Sequence, residues 1–132
     1  RVALDERSRT GRGAHHSMQK SLRETPGYRE EGRGTMATFI SLIRWTQKGI
    51  QNLKESPARL DEAKKAFEAA GAQVKGFYLV MGHYDMVLIS EAPNDETAST
   101  LALAIGSGGH VRTETMRAHS EDEYRKIIAS LP

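Results

Sequence analysis

From position 37 to the C-terminus the chain switches repeatedly between two hydrophobic periods, and the switches mark its elements in order. "TFISLIRW" (38–45) is apolar at both parities, the pattern of a strand covered on both faces. Thr46 caps a short predicted helix, "QKGIQNLKE", and Ser56–Pro57 supply an N-cap and a first-turn proline for a second. In that second helix Leu60, Ala63, Phe67 and Ala70 recur at helical spacing, and Gly71 stops it. "AQVKGFYLVM" (72–81) and "YDMVLIS" (84–90) predict two further strands. Pro93–Asn94–Asp95 open a helix with Ala98, Leu101, Ala102 and Ile105 on one side, and "GSGG" closes it. "HVRTETMRA" (110–118) predicts a fourth strand, and Ser120 with Glu123 a capping box for a last helix bearing Tyr124, Ile127, Ile128 and Leu131. The order β-α-β-β-α-β-α predicts an α+β domain: a ferredoxin-like, four-stranded antiparallel sheet with a C-terminal helix.

The second and third strands meet at "MGHYD". A two-residue loop with glycine first is what a type II′ hairpin turn requires, so Gly82–His83 is the expected turn. That choice places Phe77, Leu79, Met81, Tyr84, Met86 and Leu88 on one sheet face, expected to lie under the helices. Tyr78, Val80, Asp85, Val87 and Ile89 occupy the other. The second face is apolar but for one carboxylate, and one helix layer covers only one face of a sheet. An uncovered apolar face of that size calls for a second sheet, which predicts a homodimer, or a higher homo-oligomer, with sheets face to face.

Composition modifies this picture in two places. Residues 1–35 hold eight Lys/Arg against five Asp/Glu, whereas residues 36–132 hold eleven against twelve. The basic pI therefore comes from the first segment, and the globular part lacks the cationic footprint of a nucleic-acid binder. Residues 1–35 are rich in Arg, Gly and Ser and poor in large apolar side chains, so they are expected to be a disordered leader: a remnant of expression or an upstream extension. The globular domain is expected over 36–132, with Met36 a candidate natural start. There are no cysteines, which excludes disulfides and thiolate chemistry and fits a cytoplasmic location. No apolar run approaches the roughly 18–20 residues of a membrane span, so no membrane association is expected.

The "GHYD" hairpin, the "SPARLDEAKKAFEAAGAQVKGFYLVMG" run before it, the "EAPND" helix start and the "GHVRTETMRAHSEDEY" ending resemble the GYD domain family. That family takes its name from a Gly-Tyr-Asp signature, carried here by Gly82, Tyr84 and Asp85, with His83 inserted at the variable position. The resemblance spans about residues 36–132. It implies a ferredoxin-like, dimeric α+β-barrel protein and no particular activity. The same hairpin also resembles the effector domains of leucine-responsive regulators and small α+β-barrel monooxygenases, a likeness of fold rather than function.

Candidate chemistry is sparse. Asp85 is either a general base or ligand anchor inside a barrel, or a strand-start aspartate that accepts backbone hydrogen bonds or pairs with Arg112 or Arg117; the second is preferred, because buried carboxylates persist only when paired. Tyr84 is read as core with its hydroxyl at the edge, and His83 as a solvated turn residue. His83, His110 and His119 match no compact metal spacing, so no metal is expected, and no cofactor motif is present. "GSGGH" follows a helix and precedes a strand, the reverse of a phosphate loop. The favoured reading is a small-ligand-binding or oligomerisation module. Its pocket, between sheet and helices or in the paired barrel, is lined by Trp45, Tyr78, Asp85 and His110. The alternatives are a monooxygenase- or isomerase-like enzyme with Asp85 as proton acceptor, and a structural subunit of a larger assembly. The enzyme reading ranks lower because no second base, nucleophile or cofactor motif accompanies Asp85.

Overall fold

The structure is a computed structural model and describes residues 35–132; the leader expected over 1–35 lies outside the described residues apart from Thr35. Strands β1 (Ala37–Trp45), β2 (Gln73–Leu79), β3 (Met86–Ala92) and β4 (Val111–Ala118) form one antiparallel sheet in the order β2-β3-β1-β4. Helices α1 (Gln47–Gln51) and α2 (Ser56–Ala69), separated by a single 3₁₀ turn (Leu53–Glu55), connect β1 to β2; α3 (Asp95–Ser107) connects β3 to β4, and α4 (Glu121–Ala129) follows β4. This is the predicted α+β, ferredoxin-like arrangement.

The local signals that ended each helix act as expected, with one exception. Gly71, at φ 80°, ends α2 in a Schellman pattern: the Ala72 amide donates to the Phe67 carbonyl at 2.8 Å and the Gly71 amide to that of Glu68 at 3.1 Å. Asn94 Oδ1 accepts from the Thr97 amide at 2.8 Å to cap α3, and Ser120 with Glu123 closes both bonds of the capping box on α4. The exception is Ser56. It is the first residue of α2 rather than its cap, and its hydroxyl accepts a hydrogen bond from the Trp45 indole at 3.2 Å. A long-range partner has taken the side chain that the local motif would have used.

The helix-covered face carries the core: Phe39 and Ile43 of β1, Met86 and Leu88 of β3, Phe67 of α2, and Ala98 and Leu101 of α3. Register follows the predicted pairing, with Phe77 opposite Leu88, Tyr78 opposite Val87 and Leu79 opposite Met86; a bulge between Val74 and Gly76 absorbs one residue earlier in β2. Two features of the expected hairpin are corrected. Its tip is wider than two residues, since β2 ends at Leu79 and β3 begins at Met86, although Gly82 does take a positive φ of 145°. Leu79 and Met81 were expected under the helices but are 71 % and 99 % exposed, because β2 is an edge strand whose far end runs past the helix layer.

Among the described residues, no element covers the other face. Two rows of paired positions cross all four strands there: Gly76–Ile89–Ile40–Met116 and Tyr78–Val87–Leu42–Glu114. The corresponding row beneath the helices reads Phe77–Leu88–Ser41–Thr115. At that level of the sheet, Ile40–Met116 and Leu42 on the uncovered face are more apolar than Ser41–Thr115 beneath the helices. Among the described residues, Tyr124, Ile127 and Ile128 of α4, with Leu131 just beyond its end, also form an open apolar stripe, between 44 % and 61 % exposed. No helix among the described residues is long and apolar enough to cross a membrane.

Candidate functional site

The expected site residues gather mainly at one end of the sheet, where β1 finishes, β4 starts and the β2–β3 connection arrives. Asp85 is the hub. Its carbonyl accepts from the Val80 amide at 2.9 Å, its amide donates to the Ile43 carbonyl at 2.9 Å, and its carboxylate Oδ2 accepts from the Trp45 amide at 3.0 Å. The residue thus extends the ladder past the last regular pair and ties the hairpin to the central strand. A side-chain oxygen here does the work of a backbone carbonyl, which explains why the position takes a short side chain that ends in an acceptor. Neither arginine of β4 pairs with it. Arg112 lies opposite Arg44 on the uncovered face, and Arg117 lies over the Phe39 ring at 5.8 Å on the other.

Tyr84 does not cap the helix-facing core. Its hydroxyl donates to Glu114 Oε1 at 2.7 Å, and the Arg44 guanidinium sits 4.8 Å from its ring centre, so the side chain lies over the uncovered face. Sheet alternation failed as a guide because Tyr84 precedes the ladder, where cross-strand partners rather than pleat decide direction. The hydrogen bond to Glu114 raises the phenol pKa above its ordinary 10.0; desolvation and the carboxylate's charge add to this, and Arg44 opposes it.

His110 is held from the other side. The Thr46 amide donates to the His110 carbonyl at 3.0 Å, and the Thr46 hydroxyl donates to the Gly109 carbonyl at 2.6 Å while capping α1 through the Gly49 amide at 3.1 Å. Gly49 is buried against this loop: a β-carbon there would stand 2.1 Å from the His110 carbonyl oxygen. Lys48 Nζ donates to the Gly108 carbonyl at 3.3 Å. Burial depresses the His110 pKa below 6.5, reinforced by Arg59 and then Lys48. A histidine whose folded pKa is depressed costs no stability above about pH 6.5, where both states are neutral; the cost grows as pH falls from 6.5 toward the folded value, because the unfolded chain binds the proton first. Following the imidazole resonance by NMR should therefore show His110 titrating below the ordinary 6.5, and Lys48→Gln should move it upward. A His110 midpoint at or above 6.5, or one that Lys48→Gln leaves in place, would contradict this placement.

Tyr78 is not part of this group. It stands on edge strand β2, two strands from β1, and is 58 % exposed on the uncovered face. A cavity of about 30 Å³ does lie between sheet and helices, but it is lined by apolar core atoms and the hydroxyl residues Ser41, Ser90, Thr113 and Thr115, with a 2.9 Å hydrogen bond between Ser41 and Thr115. None of Trp45, Tyr78, Asp85 or His110 lines it, and its volume is of the order of one water molecule. Sequence reading missed Lys48, Gly49 and Arg59. The one available hint was Gly49, a helix-breaking residue kept inside a helical run.

With this geometry in hand, the chain can be set beside known proteins. The sequence model of the GYD domain matches residues 39–128. A Thermus thermophilus protein named "Glutamine synthetase and cystathionine beta-lyase binding protein" is 36 % identical over 84 residues, covering 63 % of this chain and 88 % of that protein. Among solved structures, the Mycobacterium tuberculosis leucine response regulatory protein (LrpA) superposes with a TM-score of 0.51 at 17 % identity, covering 86 % of this chain and 73 % of that one. The feast or famine regulatory protein of the same organism, complexed with L-methionine, gives a TM-score of 0.51 at 18 % identity, covering 86 % and 76 %. These two likenesses are of fold alone. The family match spans most of the described residues, including the hairpin, the Asp85 hub and the His110 loop: the chain belongs to the GYD domain family.

Proposed function

We propose that this protein is a binding and oligomerisation module, working as a homodimer whose two sheets pair through their uncovered faces, rather than a catalyst. The observation that carries this reading is the composition of that face: Ile40, Leu42, Val87, Ile89, Tyr78 and Met116 lie in contiguous cross-strand rows with no helix among the described residues over them. Burying such a surface contributes about 25 cal/mol per Å². A four-stranded face of ordinary strand spacing offers roughly 400–500 Å², so two copies approach the lower limit of a specific interface. The Asp85 carboxylate, on which an enzyme reading would depend, is engaged by the Trp45 amide. A relative named for binding two enzymes favours protein partners of that kind, and the open apolar stripe of α4 is a second surface suited to one.

The test is the mass in solution. Light scattering on the full chain at micromolar concentration should give twice the chain mass. Leu42→Glu, which puts a carboxylate in the middle of the second row and beside Glu114, should give the monomer with its secondary structure retained. A monomeric parent protein, or a Leu42→Glu variant that stays dimeric, would remove the reading.

A further inference from the structure

We propose that Lys48, Arg59 and the His110 loop form a binding site for a small oxyanion, a phosphate or carboxylate group carried by a metabolite. The site lies on the helix side of the sheet end and does not depend on the dimer.

Three observations converge on it. First, the cations are uncompensated. Lys48 and Arg59 make no ion pair within 4.0 Å among the described residues, whose salt bridges are Lys65–Glu62, Arg117–Glu123, His119–Glu123 and Arg125–Glu121. Both lie close enough to His110 to disfavour its protonated form. Second, Arg59 is pinned by one arm only. Its Nη1 donates to the Asn52 carbonyl at 3.1 Å, while Nη2 is buried without a hydrogen-bond partner. A sequestered guanidinium donor left unpaired is costly and needs an acceptor. Third, the surroundings are held in place. Gly49 lets α1 approach the His110 backbone closely, Thr46 holds the carbonyls of Gly109 and His110, and the Trp45 indole is fixed by Ser56.

Position and chemistry agree on the ligand class. Lys48 Nζ stands 3.7 Å from where a β-carbon of Gly109 would project, and His110 Nδ1 equally far from that of Gly108, so ammonium and imidazole flank the same glycine pair. A planar guanidinium, a point ammonium and an imidazole that gains a proton when an anion arrives suit an oxyanion of phosphate or carboxylate size. A neutral or cationic ligand would leave all three unanswered.

Trp45 is the sole tryptophan, so its fluorescence reports this end of the sheet without ambiguity. Inorganic phosphate and, separately, acetate should be titrated into the full chain at constant ionic strength, following Trp45 emission and the His110 resonances. Saturable changes in both probes are expected for one of the two anions, with the His110 pKa moving up. Response to phosphate alone assigns a phosphate ester, and to acetate alone a carboxylate. Arg59→Gln and the surface variant Lys48→Gln should each weaken binding at least tenfold, whereas Arg125→Gln, on α4, should not. Should Arg59→Gln fail to fold, Lys48→Gln decides the matter alone. Changes that never saturate, that chloride reproduces, or that survive Lys48→Gln would overturn the site while leaving the dimer untouched.

Discussion

Gly49→Ala is expected to lower the stability of the domain by about 3 kcal/mol, a drop of roughly 15 °C in Tm. Two effects oppose each other at this position. Alanine is the better helix former, by about 1 kcal/mol relative to glycine. Against that, the new methyl group would lie 2.1 Å from the His110 carbonyl oxygen and 3.2 Å from the Trp45 ring. The oxygen is backbone and already accepts from the Thr46 amide, so relief requires moving α1 away from the loop and stretching the bonds that Thr46 makes to Gly109 and His110. Overpacking costs about 1–3 kcal/mol and each strained hydrogen bond about 1 more, so the clash wins. Thermal unfolding followed by Trp45 fluorescence measures the result. Gly106→Ala is the control, since a β-carbon there meets nothing within 4 Å. It sits in α3 and should be neutral or stabilise by up to about 1 kcal/mol. Equal behaviour of the two variants would mean that the α1–loop contact is not as close as described.

Asp85→Ala should cost about 1.5–3 kcal/mol, the range for losing a hydrogen bond to a charged group and leaving its partner unsatisfied. The partner is the Trp45 amide at the last residue of the central strand, where no other acceptor continues the ladder on that side. Asp85→Asn keeps an oxygen at that place and should cost clearly less, about 1 kcal/mol or under. The order of the two variants in a urea or thermal series separates an architectural aspartate from one whose charge matters. If Asn were as damaging as Ala, the carboxylate's charge rather than its acceptor oxygen would be what the fold uses, and the proton-acceptor reading of Asp85 would regain ground.

These two residues show how unevenly the molecule can be read from its sequence. The Asp85 position is legible, and the preferred reading is a structural aspartate that accepts backbone hydrogen bonds or pairs with an arginine, because an acidic residue at a strand start between two apolar runs has few ways to be satisfied. Its partner was not found. Arg112 and Arg117 are the evident candidates in the sequence, and the donor is instead a backbone amide 40 residues away. Gly49 carried only a faint signal, since a glycine inside a short helix is costly without saying what approaches it. Tyr84 was placed on the wrong face, because strand alternation holds only inside the ladder and its hydroxyl is claimed by Glu114 on β4. Tyr78 was grouped with Trp45 and His110 on residue type alone, and strand order separates them.

What the sequence by itself determined were the quantities set over a few residues: the order of elements, the helix ends at Gly71, Asn94 and Ser120, and the β2–β3 register opposite Gly82. Each rests on period, capping chemistry or the conformational freedom of one residue, and none needs a distant neighbour. The tertiary structure alone decided which cations act on His110, which face Tyr84 takes, and that Ser56 serves Trp45 instead of its own helix. Those outcomes depend on strand order and on contacts between segments tens of residues apart, where several side chains compete for one partner and only the folded geometry selects among them.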